Sequence, residues 1–256
     1  MPSRRVIALL VVAASCRGGE KPAPSSSFGL YLLAMQWAPN ACCAHPGKEA
    51  GAEACSALAG TYAATHVTLH GLWPSYNDDE ARGRPRPWPQ FCGGLAHCEH
   101  SEDASCAPGV PMPPDLAPLA PAYSTDHGSL ATHEWSKHGS CTRLGPTGYF
   151  AAELSAIHAL PGDGTPAALS AAAGKDLARA DLVRAFGIAP ESIALGCDAH
   201  CQLTQVGFCL GHDDADHPTA PIACPRNVVT SDYDNGCVTH GCDRIAVQAA
   251  GECATR

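Results

Sequence analysis

The stretch Thr65-His66-Val67-Thr68-Leu69-His70-Gly71-Leu72-Trp73-Pro74 decides how this chain is read. Val67 and Leu69 alternate with Thr68 and His70, the period of a half-buried strand, so His70 is expected to emerge at a strand end on the more polar face. Upstream, Phe28 to Trp37 is apolar on both alternating faces, as expected of a central strand covered on both sides. Downstream, Asn77 to Pro89 is polar and proline-rich, and Phe91 to Met112 carries Cys92, Cys98 and Cys106; the whole stretch reads as a disulfide-tied surface loop. Pro113-Pro114-Asp115-Leu116 opens a short helix expected to run to about Tyr123.

The second informative block is His133-Glu134-Trp135-Ser136-Lys137-His138-Gly139, predicted to lie on a helix capped by Thr132. At roughly 100° per residue, His133, Lys137, Glu134 and His138 fall at about 0°, 40°, 100° and 140° around the axis, so all four share one arc. A zinc-protease helix needs histidines at i and i+4 around the glutamate; these are five apart, which disfavours a zinc hydrolase. Two imidazoles, a carboxylate and an ammonium remain, with His70 facing them from a strand. Imidazole exchanges protons near neutrality, and Lys137 offers charge to a phosphoryl group gaining negative charge under attack. RNA brings its own nucleophile in the 2′-hydroxyl, so such a site needs neither a metal nor a cofactor. Trp135 falls just beyond the arc and is expected in the core, while Trp73 divides between base stacking and packing.

Further helices are expected at Tyr149 to Leu160 and Ala167 to Phe186, and further strands at Ser192 to Leu195, Gln202 to Leu210 and Ile245 to Val247. The chain has 256 residues, 45% hydrophobic and 16% charged, which argues for a folded core. Arg4 and Arg5 before the apolar run Val6 to Ala14 read as an export signal over 1–15, too short to span a bilayer. Ala13-Ala14-Ser15-Cys16 resembles a bacterial lipoprotein cleavage box, with ordinary signal cleavage as the alternative; residues 16–27 read as a flexible tether before a catalytic domain over 28–256. Membrane association would then run only through a lipid anchor at Cys16.

Of 15 cysteines, setting Cys16 aside leaves 14, room for seven disulfides in an oxidising compartment. Cys197-x3-Cys201 with His200, and Cys237-x2-His240-x-Cys242, superficially resemble zinc clusters, but neither has a zinc-ribbon spacing, and export favours disulfides. The formal charge is −9, or −11 without Arg4 and Arg5, so a broad basic footprint for duplex nucleic acid is absent. Any RNA must be held by a small local site.

At His70-Gly71-Leu72-Trp73-Pro74 and His133 to Gly139 the chain resembles the ribonuclease T2 family, whose active-site segments read H-G-L-W-P and H-E-W-x-K-H-G. The resemblance extends to Leu33 to Trp37 with Cys42-Cys43, to Cys141, and to Gln202 to Leu210 with Cys224-Pro225, covering about residues 28–240. It implies a disulfide-rich α+β fold with a central antiparallel sheet, and a secreted, metal-independent endoribonuclease. It also implies His70 as general acid, His138 as general base, His133 as phosphate contact, Glu134 and Lys137 as transition-state stabilisers, and Trp73 stacked on a base. The substrate would be single-stranded RNA and not DNA, cut by a monomer to 2′,3′-cyclic phosphate ends and then slowly to 3′-phosphate. Ser75 stands where some relatives carry a base-reading Asp, so no adenine preference carries over. The rival reading is a catalytically silent extracellular binding module on the same scaffold.

Overall fold

Leu30-Tyr31-Leu32-Leu33-Ala34-Met35-Gln36 forms strand β1, buried along its length except at Gln36. Its two faces feed two cores: Tyr31, Leu33 and Met35 join the large one, and Leu30, Leu32 and Ala34 join a smaller one with Trp73, Cys209 and Val228. A strand apolar on both faces can lie only where both are covered, and β1 sits between two partners. The computed structural model describes residues 27–44, 58–100, 103–124, 130–229 and 236–251. The expected export signal over 1–15, most of the expected tether, Cys16, Cys55 and Cys253 lie outside them.

The partners of β1 are β2 (Thr68–Ser75) and, across a shorter run, β5 (Leu203–His212), both antiparallel. With β4 (Ile193–Cys197) and β6 (Pro218–Pro221), each antiparallel to β5, they make a five-stranded sheet running β2-β1-β5-β4, with β6 also on β5. A second sheet pairs β3 (Lys175–Ala178) with β7 (Arg244–Val247). Helix α1 (Ala38–Ala44) follows β1. The long helix α3 (Gly145–His158), opened by Pro146 in its first turn, buries Tyr149, Phe150, Ala152, Ala156 and Ile157 against the large core. Before it stands α2 (Leu130–Lys137), which carries the second block. The fold is α+β with an antiparallel sheet, as the resemblance implied.

The structure departs from the local sequence signals in four places. The strand expected at Thr65 to His70 instead begins at Thr68 and runs through the whole first block to Ser75. Pro74 is tolerated because β2 is an edge strand, paired among the described strands with β1 alone. Thr132 lies inside α2, which already includes Leu130, and does not cap it. Pro113 to Tyr123 forms successive turns and a 3-10 segment from Pro121, since Pro118 and Pro121 supply no N–H for a continuous helix. The helix expected over Ala167 to Phe186 breaks into α4 (Ala167–Ala171), β3 and α5 (Arg179–Ala185). Gly174 takes φ +77° there, and pairing with β7 overrides the helical composition.

The disulfide reading holds at every described cysteine. Cys92–Cys141, Cys98–Cys106, Cys197–Cys237, Cys201–Cys242 and Cys209–Cys224 are bonded, and Cys42 and Cys43 are disulfide-bonded too. The zinc-like clusters are thus two parallel staples, with His200 and His240 exposed beside them. His97, Cys98 and Cys106 also bring ligand atoms together, but both sulfurs are spent in a disulfide. Cys92–Cys141 ties the loop after β2 to the residues just beyond α2, and so joins the two blocks' surroundings.

Candidate active site

His70 is the extra residue of a β-bulge. Leu69 pairs with Met35 and Gly71 with Ala34, so His70 has no partner on β1. Bulges re-aim the side chain they carry, and this one turns His70 toward α2, where its Nε2 lies 3.5 Å from Glu134 Oε1. The other carboxylate oxygen accepts a 2.6 Å hydrogen bond from Trp73 Nε1 and lies 4.0 Å from His138 Nε2. Glu134 therefore joins both histidines and the indole through one buried carboxyl.

Gly71 makes that approach possible. A Cβ there would lie 2.0 Å from Glu134 Oε2 and 2.6 Å from Trp73 Nε1. The glycine is needed for the space it leaves.

The four charged or titratable residues of the second block divide into two sides. Glu134 and His138 face inward, each about 1% exposed, whereas His133 is exposed and Lys137 half-buried. His138 follows the last helical residue, held by its N–H to the Glu134 carbonyl at 3.0 Å. The indole of Trp73 stacks over the His138 ring at 5.2 Å and 26°, and meets His70 edge-on at 5.4 Å. Trp73 is 3% exposed, so in the free protein it offers no open face to a base, contrary to the stacking expectation. Its indole N–H is spent on Glu134. Ser75 is likewise buried, its hydroxyl donating to the Trp73 carbonyl at 3.2 Å. Trp135 packs on the large core beside Tyr149, as expected.

Electrostatics follow from this burial. Desolvation, with the positive neighbours His133 and Lys137, pushes His70 down to about 4. His138 is driven well below an ordinary imidazole, chiefly by desolvation and then by Lys137, His133 and His70. Glu134 is raised to about 8 by burial, against the pull of the Trp73 hydrogen bond and Lys137. Lys137, half-buried, is lowered by its desolvation, and His133 is lowered by the desolvation that crowding neighbours impose and by the charge of Lys137. Burial thus disfavours charge on the carboxyl and on both imidazoles.

A model of the ribonuclease T2 family matches residues 28–220, three-quarters of the chain. The chain belongs to the ribonuclease T2 family. Among its curated relatives, intracellular ribonuclease LX of Solanum lycopersicum is 28% identical over 136 residues, 51% of this chain and 48% of that protein. A ribonuclease of Aeromonas hydrophila is 29% identical over 120 residues, 47% of this chain and 40% of that one. The matched region spans about half the length of these relatives. Of solved structures, trichomaglin, titled a novel S-like ribonuclease, superposes with a TM-score of 0.50 at 20% identity, covering 88% of this chain and all of that one. At that identity the likeness concerns the T2 fold.

Sequence reasoning missed the residues beneath this T2 site. Tyr123, Tyr149 and Glu153 are buried, and both tyrosine hydroxyls donate to carbonyls of β2. One signal was available: Glu153 is the only charged side chain on the apolar Gly145–His158 helix apart from its terminal histidine.

Proposed function

We propose that this chain is an endoribonuclease that cleaves single-stranded RNA by transphosphorylation, without a metal or cofactor. The observation that carries the reading is the single buried carboxyl of Glu134 facing His70 from a strand and His138 from a helix, with Lys137 and His133 on the open side. His138, held neutral, takes the proton of the 2′-hydroxyl. The 2′-oxygen attacks the adjacent phosphorus in line, the P–O5′ bond breaks, and His70 gives the departing 5′-oxygen its proton. The products are a 2′,3′-cyclic phosphate and a free 5′-hydroxyl; water then opens the ring with the two histidines in exchanged roles. Lys137 and His133 stand where the phosphate's growing charge is met.

Glu134 supplies the proton economy of this scheme. Its proton crosses to His70 when the phosphate arrives, leaving a carboxylate whose other oxygen faces His138 as that ring becomes cationic. Trp73 donates to this carboxylate and holds it in place. Because Trp73 also covers His138, RNA reaches the base by a tilt of the indole about its bond to Glu134, and the same tilt would turn ring surface toward a nucleobase. The disulfide-rich fold fits an extracytoplasmic protein working as a monomer, free or anchored through Cys16.

The competent cluster holds one proton shared by Glu134 and His70, with His138 neutral. It persists from well below pH 6.5, where His138 takes up a proton and the base is lost, up to about 8, where Glu134 gives up its own. A bell-shaped kcat/KM profile with an alkaline limb near that value is expected. In Glu134→Gln the limb should move down toward the His70 value of about 4. A limb unmoved by that exchange contradicts the shared proton. For the activity itself, oxidised protein should degrade single-stranded RNA in EDTA and spare an otherwise identical strand with 2′-deoxyribose at every position. Intact RNA overturns the enzyme reading in favour of a silent binding module.

A further inference from the structure

Beneath the bulge lies a buried acid that the reaction above does not use. Glu153, on α3, is fully buried. Its Oε1 lies 2.9 Å from the Tyr123 hydroxyl, which is also 2.9 Å from the carbonyl oxygen of His70. One turn earlier on the same helix, the Tyr149 hydroxyl donates to the Leu72 carbonyl at 2.9 Å. Two tyrosines, Tyr123 held by the Glu153 carboxyl, thus grip the carbonyls on either side of Gly71, the point where β2 meets Glu134.

Proton counting fixes how this group is built. A phenol hydroxyl carries one proton. Tyr149 spends its own on Leu72, and Tyr123 can satisfy the bulge carbonyl only by spending its own on His70. The contact between Tyr123 and Glu153 then needs a proton from the acid, so Glu153 is a neutral carboxylic acid donating to Tyr123. An ionised Glu153 would also place an uncompensated negative charge in a dry interior.

We propose that Glu153, Tyr123 and Tyr149 are positioning residues, a neutral acid-and-phenol clamp that fixes the β2 bulge and thereby aims His70 at Glu134. The inference builds on the ribonuclease reading for its kinetic consequence, but its geometric consequence stands apart from it. None of the three touches the reacting atoms; they act through the backbone of His70.

The test compares Tyr123→Phe, Glu153→Gln and Glu153→Leu with the parent chain, by steady-state cleavage of RNA and by the NMR titration of the His70 ring. Tyr123→Phe keeps the ring packing and removes only the hydroxyl. It should lower kcat roughly tenfold to a hundredfold, the scale of a sub-ångström to ångström misplacement of a catalytic group, with KM within about twofold. The His70 midpoint should move up toward an ordinary imidazole as the ring leaves its half-buried place against Glu134. Glu153→Leu should match Tyr123→Phe, while Glu153→Gln, whose amide still donates to Tyr123, should keep both readouts near the parent. If Tyr123→Phe leaves either kcat or the His70 midpoint at the parent value, the residues are merely structural and the proposal is overturned, whatever the melting temperature does. Glu153→Gln behaving like Glu153→Leu overturns the neutral-acid assignment. Should the parent chain itself fail to cleave RNA, the ribonuclease reading falls and the titration alone judges the clamp.

Discussion

Exchange of His138 for Gln is expected to lower kcat by about 10²- to 10⁴-fold, the range supplied by a positioned acid or base. His70→Gln should fall as far. Glutamine is chosen over alanine because His138 is buried against Trp73, and a cavity there would confuse loss of chemistry with loss of fold. The two variants should fail differently with pH. Without His138 the acid limb of the profile goes, since no base remains to be protonated; without His70 the alkaline limb goes. Turnover at the parent rate in either variant, with folding verified by near-UV circular dichroism, contradicts the assigned roles. His133→Ala and Lys137→Ala, on the open side, should instead weaken transition-state binding of the phosphate and keep both limbs, with Lys137→Ala moving each of them to higher pH as a positive neighbour is lost.

Gly71→Ala is expected to be the most damaging small substitution on β2. The added methyl would stand 2.0 Å from Glu134 Oε2 and 2.6 Å from Trp73 Nε1. Neither neighbour can yield freely, because the two are hydrogen-bonded at 2.6 Å and both are buried. Overpacking of this kind costs about 1–3 kcal/mol. Any relief that parts the indole from the carboxyl removes a hydrogen bond to a group that becomes charged in the reaction, worth about 1.5–3 kcal/mol. A lower melting temperature together with at least a tenfold fall in kcat is expected. Parent values of both would mean that Glu134 does not approach β2 as closely as described.

Much of this site was legible in the chain because its chemistry sits in two short runs. Helical spacing alone placed His133, Glu134, Lys137 and His138 on one arc, and the structure divides that arc into an open pair and a buried pair. The central strand was legible because β1 is apolar on both faces, a pattern that only a doubly covered strand satisfies. The bulge at His70 was not, since the alternation of Val67 to His70 says nothing of where β1 slips its register. Nor was β3: Lys175 to Ala178 lies in an alanine-rich stretch, and only β7, far along the chain, makes it a strand. Trp73 shows the same limit. The sequence left it divided between base stacking and packing, and its burial depends on the α2 segment, which brings Glu134 and His138 against it. Glu153 was visible as a lone acid on an apolar helix, but its partners Tyr123 and the His70 carbonyl come from distant segments.

The central claim is that two histidines joined by Glu134 move protons around a phosphate attacked by the RNA's own 2′-oxygen. Identifying the ends left on a defined single-stranded RNA, cut in EDTA and stopped early, tests this most directly. The account predicts 2′,3′-cyclic phosphate on the upstream fragment and 5′-hydroxyl on the downstream one, with 3′-phosphate gathering later. A 5′-phosphate with a free 3′-hydroxyl from the first cut would contradict it, because water rather than the 2′-oxygen would then have attacked.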